Sequence, residues 1–231
     1  MSTGYITVFN ESFKELAKVL EKGITSFSQH SIEMVELVDK NLDEIYMGKL
    51  DALVNSPFDA AVILDADIVP NRCLDDLMEI ALRDDFDYPL LPRHLTGYSV
   101  PGVEANDQTM HYGQSCVVVA GVRAKANLKS GLEEIREHYR TADWKFAGEE
   151  PHLNAWLWRC GAKKQLNYCC PPAGRYLRWR RGARYLPVGD DRLITHQLFH
   201  SEKHPDHANE MLDDILSLPP RDEPKPVIIA Y

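Results

Sequence analysis

The sequence has no glycine-rich phosphate loop: neither G-x-G-x-x-G nor G-x-x-x-x-G-K-[ST] occurs in its 231 residues. Such loops cradle phosphates with backbone N–H groups, so any phosphate ligand must be held by other means. Cysteine is scarce. Cys73, Cys116, Cys160, Cys169 and Cys170 make an odd count without a C-x-x-C pair, which supports neither a disulfide framework nor a zinc site and suits reduced thiols. Positive charge is in deficit, with 26 Lys and Arg against 35 Asp and Glu and a net charge of −9. A chain this acidic is not, as a whole, a nucleic-acid binder. No apolar run approaches a membrane span, and Met1–Tyr5 does not open like a signal peptide. A cytoplasmic protein is therefore expected.

Against these absences, residues 60–70 stand out: AAVILDADIVP. Ala60–Leu64 and Ala66 surround two carboxylates, Asp65 and Asp67. An apolar run this rich in Val, Ile and Leu reads as a buried central strand. Alternate strand residues share a face, so Asp65 and Asp67 are expected to project together from the strand's carboxyl end, where open α/β sheets bind ligands. Two adjacent carboxylates are costly to bury unpaired. A divalent cation removes that cost, and paired oxygen donors suit Mg²⁺ or Mn²⁺. Capping of a following helix is the plainer explanation, but it needs only one of the two.

Periodicity orders the rest. Tyr5–Phe9 is a short strand, and Ser12-x-x-Glu15 is a capping-box pattern opening a helix with Phe13, Leu16, Leu20, Ile24 and Phe27 on one face. Ile32–Val38 is a second strand. Asn41-x-x-Glu44 starts a second helix, with Leu42, Ile45, Tyr46, Leu50 and Leu53 inward, and Ser56-Pro57 ends it before the Asp65 strand. This is a βαβαβ unit, which implies parallel strands and right-handed crossovers. Beyond it the spacing predicts helices over Leu74–Leu82, Leu128–Tyr139 and Glu150–Arg159, and strands over Tyr88–Pro92, Ser115–Val122, Asn167–Cys170 and Arg192–Thr195. Thr96–Thr109 reads as a polar loop. Ser217–Pro226 holds four prolines in ten residues and reads as part of an extended tail. The expected organisation is one α/β domain over 1–216, with a Rossmann-like nucleotide-binding half (1–70), an acceptor half (71–216), a mixed central sheet and a tail over 217–231.

Further residues could carry chemistry. Lys49 lies on the apolar face of its helix, seven residues after Leu42 and four before Leu53. It either snorkels to the edge or reaches a carboxylate or phosphate beside the cation. Glu149 and Glu150 open a helix with Pro151 in its first turn, where acidic residues also complement the helix dipole. Ile194–Pro205, ITHQLFHSEKHP, holds three of the nine histidines. It is a candidate imidazole source for Mn²⁺ or a polar surface loop. Arg175, Arg178, Arg180, Arg181 and Arg184 cluster around Tyr176 and Trp179. That basic stretch suits an anionic partner or membrane surface, with a solvated loop as the alternative.

Three of these segments carry a resemblance. Tyr46–Pro70 resembles the helix-plus-DxD block of GT-A-fold glycosyltransferases, including a lysine like Lys49. Among retaining members it is similar to blood-group-type α-1,3-galactosyltransferases, glycogenin-type enzymes and fungal α-1,3-mannosyltransferases. Glu149–Leu153 with Asn154, EEPHLN, resembles the acidic HLN motif of the blood-group type. Ile194–Lys203 is similar to the late histidine and lysine of the glycogenin type, though no HxxGxxKPW string is present. The order of motifs matches over roughly 5–205.

The resemblance implies a GT-A-like fold and a metal-dependent enzyme that moves a sugar from a nucleoside-diphosphate sugar, UDP-sugar first and GDP-mannose second. The acceptor would be a glycan or lipid-linked molecule, and transfer would be retaining. It implies Mn²⁺ or Mg²⁺ on Asp65 and Asp67, with His196 or His200 as a further ligand; His196 comes first because it directly follows the strand. It implies Lys49 or Lys203 beside the diphosphate, the base near Phe9 and Asn10, and Glu150 under the donor sugar. Glu149 or Asp143 is the general base if transfer inverts. His111, Tyr112 and Trp144 are candidate acceptor contacts. The missing membrane anchor points to a bacterial or viral enzyme, with peripheral membrane contact through Arg175–Arg184. Two rivals remain. Asp65-Ala-Asp67-Ile-Val69 also fits the DxDx[TV] motif of haloacid-dehalogenase-type phosphatases, with Asp65 as nucleophile, Asp67 as general acid and Gly189-Asp190-Asp191 as the later acidic motif. A non-catalytic glycan- or lipid-binding relative is the other.

Overall fold

The computed structural model describes residues 1–38, 40, 42–70, 72–83, 85–92, 112–142, 148–162, 165–167, 194–196, 205–217 and 227–229. Strand β1 (Thr3–Phe9), helix α1 (Lys14–Phe27), β2 (Ser31–Glu36), α2 (Leu42–Asn55) and β3 (Ala60–Asp65) form the expected βαβαβ unit. β1 lies between β2 and β3 and is parallel to both, with Val8 opposite Val35 on one side and Asp65 on the other. After β4 (Ile68–Pro70) and α3 (Asp75–Arg83), β5 (Val117–Ala120) joins antiparallel to β3. The sheet order β2-β1-β3-β5 is mixed, as expected. Helix α4 (Val122–Thr141), α5 (Glu150–Arg159), β6 (Gln165–Asn167), β7 (Ile194–His196), α6 (Pro205–Leu216) and β8 (Val227–Ile229) complete the described chain. β4 pairs with β7 and β6 with β8, both antiparallel. No helix among the described residues is long and apolar enough to cross a membrane.

The core follows from the strand composition. Ala60–Leu64 and Val117–Ala120 are all buried, as continuous apolar strands require when both faces are covered. α1 turns Leu16, Ala17, Val19, Leu20, Gly23 and Ile24 inward. Its Leu16 and Val19 also meet Val69, Ala208 and Leu212, so α6 closes over β4. α4 and α5 cross where Gly131 faces the Trp156 indole, leaving no room for a Cβ.

Several expectations need correction. The capping box at Ser12 does not form: a 3₁₀ turn spans Glu11–Phe13, and α1 follows with Phe13 at its N-cap and no side-chain cap. Tyr88–Pro92 is not a strand; Leu90 makes an isolated bridge to Val119. Val122 begins α4 instead of ending a strand, because Gly121 supplies an extended N-cap. Helix α6 was not expected, since Asp206, His207, Asn209 and Glu210 obscure its apolar stripe. Within the region expected as a tail, Val227–Ile229 pairs with Gln165–Asn167. The Thr96–Thr109 loop lies outside the described residues.

Gly131→Ala should destabilise the protein. Helix propensity favours alanine by about 1 kcal/mol, but overpacking against a buried indole costs roughly 1–3 kcal/mol. Urea unfolding should show a net loss; a gain would mean that Trp156 moves aside freely.

Candidate active site

The order β2-β1-β3 has a topological consequence. Right-handed crossovers from β1 to β2 and from β2 to β3 run in opposite directions, so the connections diverge between β1 and β3. Open α/β sheets bind ligands at such a switch point, outside the strand carboxyl ends. Phe9 ends one strand there, with Asn10 next in the chain, and Asp65 ends the other. Asp65 is the last residue of β3, held by its N–H to the Cys116 carbonyl at 2.9 Å. Asp67 is not on β3: Ala66 and Asp67 form a turn into β4. The carboxylates are thus grouped by a turn and not by strand alternation. Phe9 packs with Ala17 and Ala66, so the proposed base-binding end of β1 supports the acidic turn. Asp67 is 6% exposed, and the Asp65 side chain 26%.

Lys49 joins the parts. α2 packs against β1 and β3 and buries this lysine to 6% exposure. Its ammonium lies 2.7 Å from Asp65 Oδ1 and 2.5 Å from Glu149 Oε1. It also donates to the Ser115 carbonyl at 3.0 Å. Burial pulls its pKa down, but the charges of Asp65 and Glu149 outweigh that and hold it above the usual lysine range. Of the two sequence readings, the structure shows the lysine reaching a carboxylate.

Glu149 is the N-cap of α5 and 1% exposed. Burial raises its pKa, while Lys49 opposes the rise. Gly148, at φ 61°, sets its direction: this left-handed residue lies against the Tyr46 ring, and a Cβ there would overlap it. The Tyr46–Lys49 and Gly148–Glu150 segments therefore meet one turn of α2 apart. Glu150 accepts a bond from the Ser115 N–H at 2.9 Å. Burial lifts its pKa to about 7, with Glu149 adding to the rise and Ser115, Tyr112 and Lys49 opposing it. Glu150 is thereby poised to change charge near neutrality.

Other candidates are placed in part. β7 lies antiparallel to β4 with His196 opposite Ile68, so its backbone adjoins the residue after Asp67. Among the described residues, no group of three or more His, Cys, Asp or Glu side chains is arranged to hold a metal ion. Tyr112, expected at the acceptor, is 3% exposed and bonded to Glu150. His111, Asp143, Trp144, the Arg175–Arg184 cluster, Gly189–Asp191, His200 and Lys203 lie outside the described residues. Sequence reasoning missed Ser115, Gly148 and the part Tyr46 plays. Ser115 gave no signal, because it acts mostly through its backbone.

Solved glycosyltransferase structures are similar to this chain. A glycosyltransferase involved in the glycosylation of the major capsid of PBCV-1 is similar to 91% of this chain and 100% of its own, with a TM-score of 0.59 and 13% identity. The glycosyltransferase GlyE of Streptococcus pneumoniae TIGR4 is similar to 67% of this chain, which spans 43% of it, with a TM-score of 0.48 and 13% identity. No protein-family model and no curated protein matches the sequence. The first likeness shows that the chain shares the fold of that protein, a mixed α/β architecture around a central mixed sheet.

Lys49→Met should cost roughly 3–5 kcal/mol in urea unfolding at pH 8, because it takes the ammonium from buried Glu149 and half-buried Asp65. Adding Glu149→Gln should recover part of the loss by removing one uncompensated charge. Equal losses in the single and double variants would mean that Lys49 acts through packing alone.

Proposed function

We propose that this protein is a metal-dependent glycosyltransferase that uses a nucleoside-diphosphate sugar. The observation that carries the reading is the acidic turn Asp65–Asp67 at the β1/β3 switch point, with Glu149 and Glu150 brought beside it through Lys49 and Ser115. The donor set suits a hard divalent cation. Asp65 and Glu149 share the buried Lys49 ammonium; with Asp67 two residues on from Asp65, Mn²⁺ or Mg²⁺ would add positive charge to this acidic group. Asp65 and Asp67 would hold it, with His196 as the imidazole ligand and His200 as the alternative. Bound there, the cation would offset charge developing on the leaving diphosphate.

The protein's own residues would do the rest. Phe9 and Asn10 would meet the base, and Lys203 the diphosphate. Lys49 spends its ammonium contacts on protein oxygens, so its part would be to hold the acidic groups in place. Glu150 would lie by the anomeric carbon and, when ionised, stabilise an oxocarbenium-like state, giving retention. UDP-sugar is the first donor choice and GDP-mannose the second. The acceptor is a glycan or lipid-linked molecule, met by the basic stretch Arg175–Arg184.

Thermal-shift titration with UDP and GDP, with and without Mn²⁺, tests the class and base together. Stabilisation only with metal is expected, lost in both Asp65→Asn and Asp67→Asn. Undiminished binding in both variants, or phosphate release from simple phosphoesters by the wild type, would overturn the reading. His196→Ala should weaken Mn²⁺ more than His200→Ala.

Turnover should rise with pH through about 7, because Glu150 must lose its proton to act and its pKa stands at about 7. Glu150→Gln should remove that rise and slow turnover by about two orders of magnitude, the loss of ~3 kcal/mol of electrostatic stabilisation. An inverted product by NMR, or a variant within a few-fold of wild type, would return the acidic pair to capping.

A further inference from the structure

Residues 112–115 are buried and run immediately ahead of β5. Buried backbone groups need partners, and here side chains supply them. The Asn154 amide, 1% exposed, accepts from the Gly113 N–H at 2.8 Å and donates to the Gly113 carbonyl at 2.7 Å. Its second N–H goes to the Glu150 carbonyl at 2.8 Å. Two residues on, Ser115 is served in the same way: its N–H donates to Glu150 Oε2 at 2.9 Å, and its carbonyl accepts from Lys49 at 3.0 Å. The Gln114 N–H instead donates to the Pro92 carbonyl at 2.8 Å. Glu150 and Asn154 stand one turn apart on α5, about 6 Å, and meet Ser115 and Gly113, two residues apart in the segment that leads into β5. Side chains of α5 and α2 thus supply partners for the backbone of this segment.

We propose that Asn154 is a positioning residue for the site: it fixes the register of residues 112–115 on α5, so that the Ser115 N–H is delivered to the Glu150 carboxylate. Only an amide does this. It offers an acceptor and two donors in one plane, and the Gly113 N–H and the two carbonyls use all three. Aspartate keeps the shape but sets an oxygen against the Gly113 and Glu150 carbonyls; alanine takes this partner from the buried Gly113 N–H and carbonyl. A shift of residues 112–115 along α5 would carry the Ser115 N–H away from Glu150 and remove that backbone donor. The groups around that carboxylate would then be Glu149 on its own helix, Lys49 on α2 with Asp65 behind it, and Tyr112. Loss of the Ser115 bond leaves Glu149 less opposed, so Glu150 ionises at higher pH.

The test compares Asn154→Ala and Asn154→Asp with Leu157→Ala, which opens a cavity under the same helix and removes no hydrogen bond to residues 112–115. Hydrogen exchange of the Ser115 amide is the first readout and is independent of any reaction. Protection should fall by about tenfold or more in both Asn154 variants at conditions where Leu157→Ala, at matched global stability, retains it. The second readout rests on the glycosyl-transfer reading: the midpoint of the rise of kcat with pH should move up in both Asn154 variants, with the donor KM within about threefold of wild type. Unchanged Ser115 protection in both Asn154 variants overturns the proposal. So does an equal loss in Leu157→Ala, or a rise in KM with kcat and its midpoint unmoved. A wild type without turnover would count against the glycosyl-transfer reading and leave the exchange result to decide the role of Asn154.

Discussion

The buried ammonium of Lys49 is the constraint on which the site depends. It draws contacts from three other parts of the fold: Asp65 at the end of β3, Glu149 at the start of α5, and the Ser115 carbonyl before β5. Two of those contacts are to carboxylates, and neither Asp65 nor Glu149 could sit so close to the other without a cation between them. The energetic logic is that of a buried ion pair. Its net worth against an apolar substitute is small, but half of it left alone is costly. A geometry held this way is all-or-none, which suits a site that must keep carboxylates apart by fixed distances.

That constraint also explains why the two halves of the chain meet where they do. The βαβαβ unit can form its sheet from local crossovers, but α5 has no strand of its own in the central sheet. It is anchored through packing on α4, where Gly131 admits Trp156, and through its N-terminal turn, where Gly148 admits Tyr46. Both anchors place a glycine against an aromatic ring and allow approach closer than any side chain permits. The acidic pair is therefore positioned from both ends of its helix, and the polar contacts to Lys49 and Ser115 complete a placement that packing has already narrowed.

The first half of the fold was legible because its signals are local. Apolar strands, helix periodicity and Pro57 marked each element of residues 3–65 to within a few positions. The carboxylates Asp65 and Asp67 were legible as a pair, but the reason was misassigned. Strand alternation was expected, whereas a turn at Ala66–Asp67 separates them, and the short β4 that defines this turn is set by pairing with β7, more than a hundred residues away. The Ser12 capping box failed for a related reason: the chain leaving β1 enters a 3₁₀ turn first, and tertiary packing of Phe9 and Phe13 against Ala17 and Ala66 decides where α1 begins. The placing of Ser115 was invisible, since a backbone N–H and carbonyl have no sequence signature. The EEPHLN segment was noticed for its acids, while the geometry gives its asparagine an equal share of polar contacts.

Two buried lysines among the described residues show what sequence spacing can and cannot tell. Lys49 and Lys125 both lie in helices and are both nearly excluded from solvent. Lys125 donates to the Ser56 hydroxyl at 2.9 Å and to the Phe58 carbonyl. It pins the connection between α2 and β3, and burial lowers its pKa because dipoles and distant carboxylates do not offset the lost hydration. Lys49 faces carboxylates directly and moves the opposite way. The same residue type is a pin for the chain in one place and the hub of an acidic cluster in the other. The difference lies in partner charge, which arrives from β3 and from the start of α5, remote in sequence from α2. Helical periodicity can say that a lysine is buried, but only the assembled fold says which charges wait for it there.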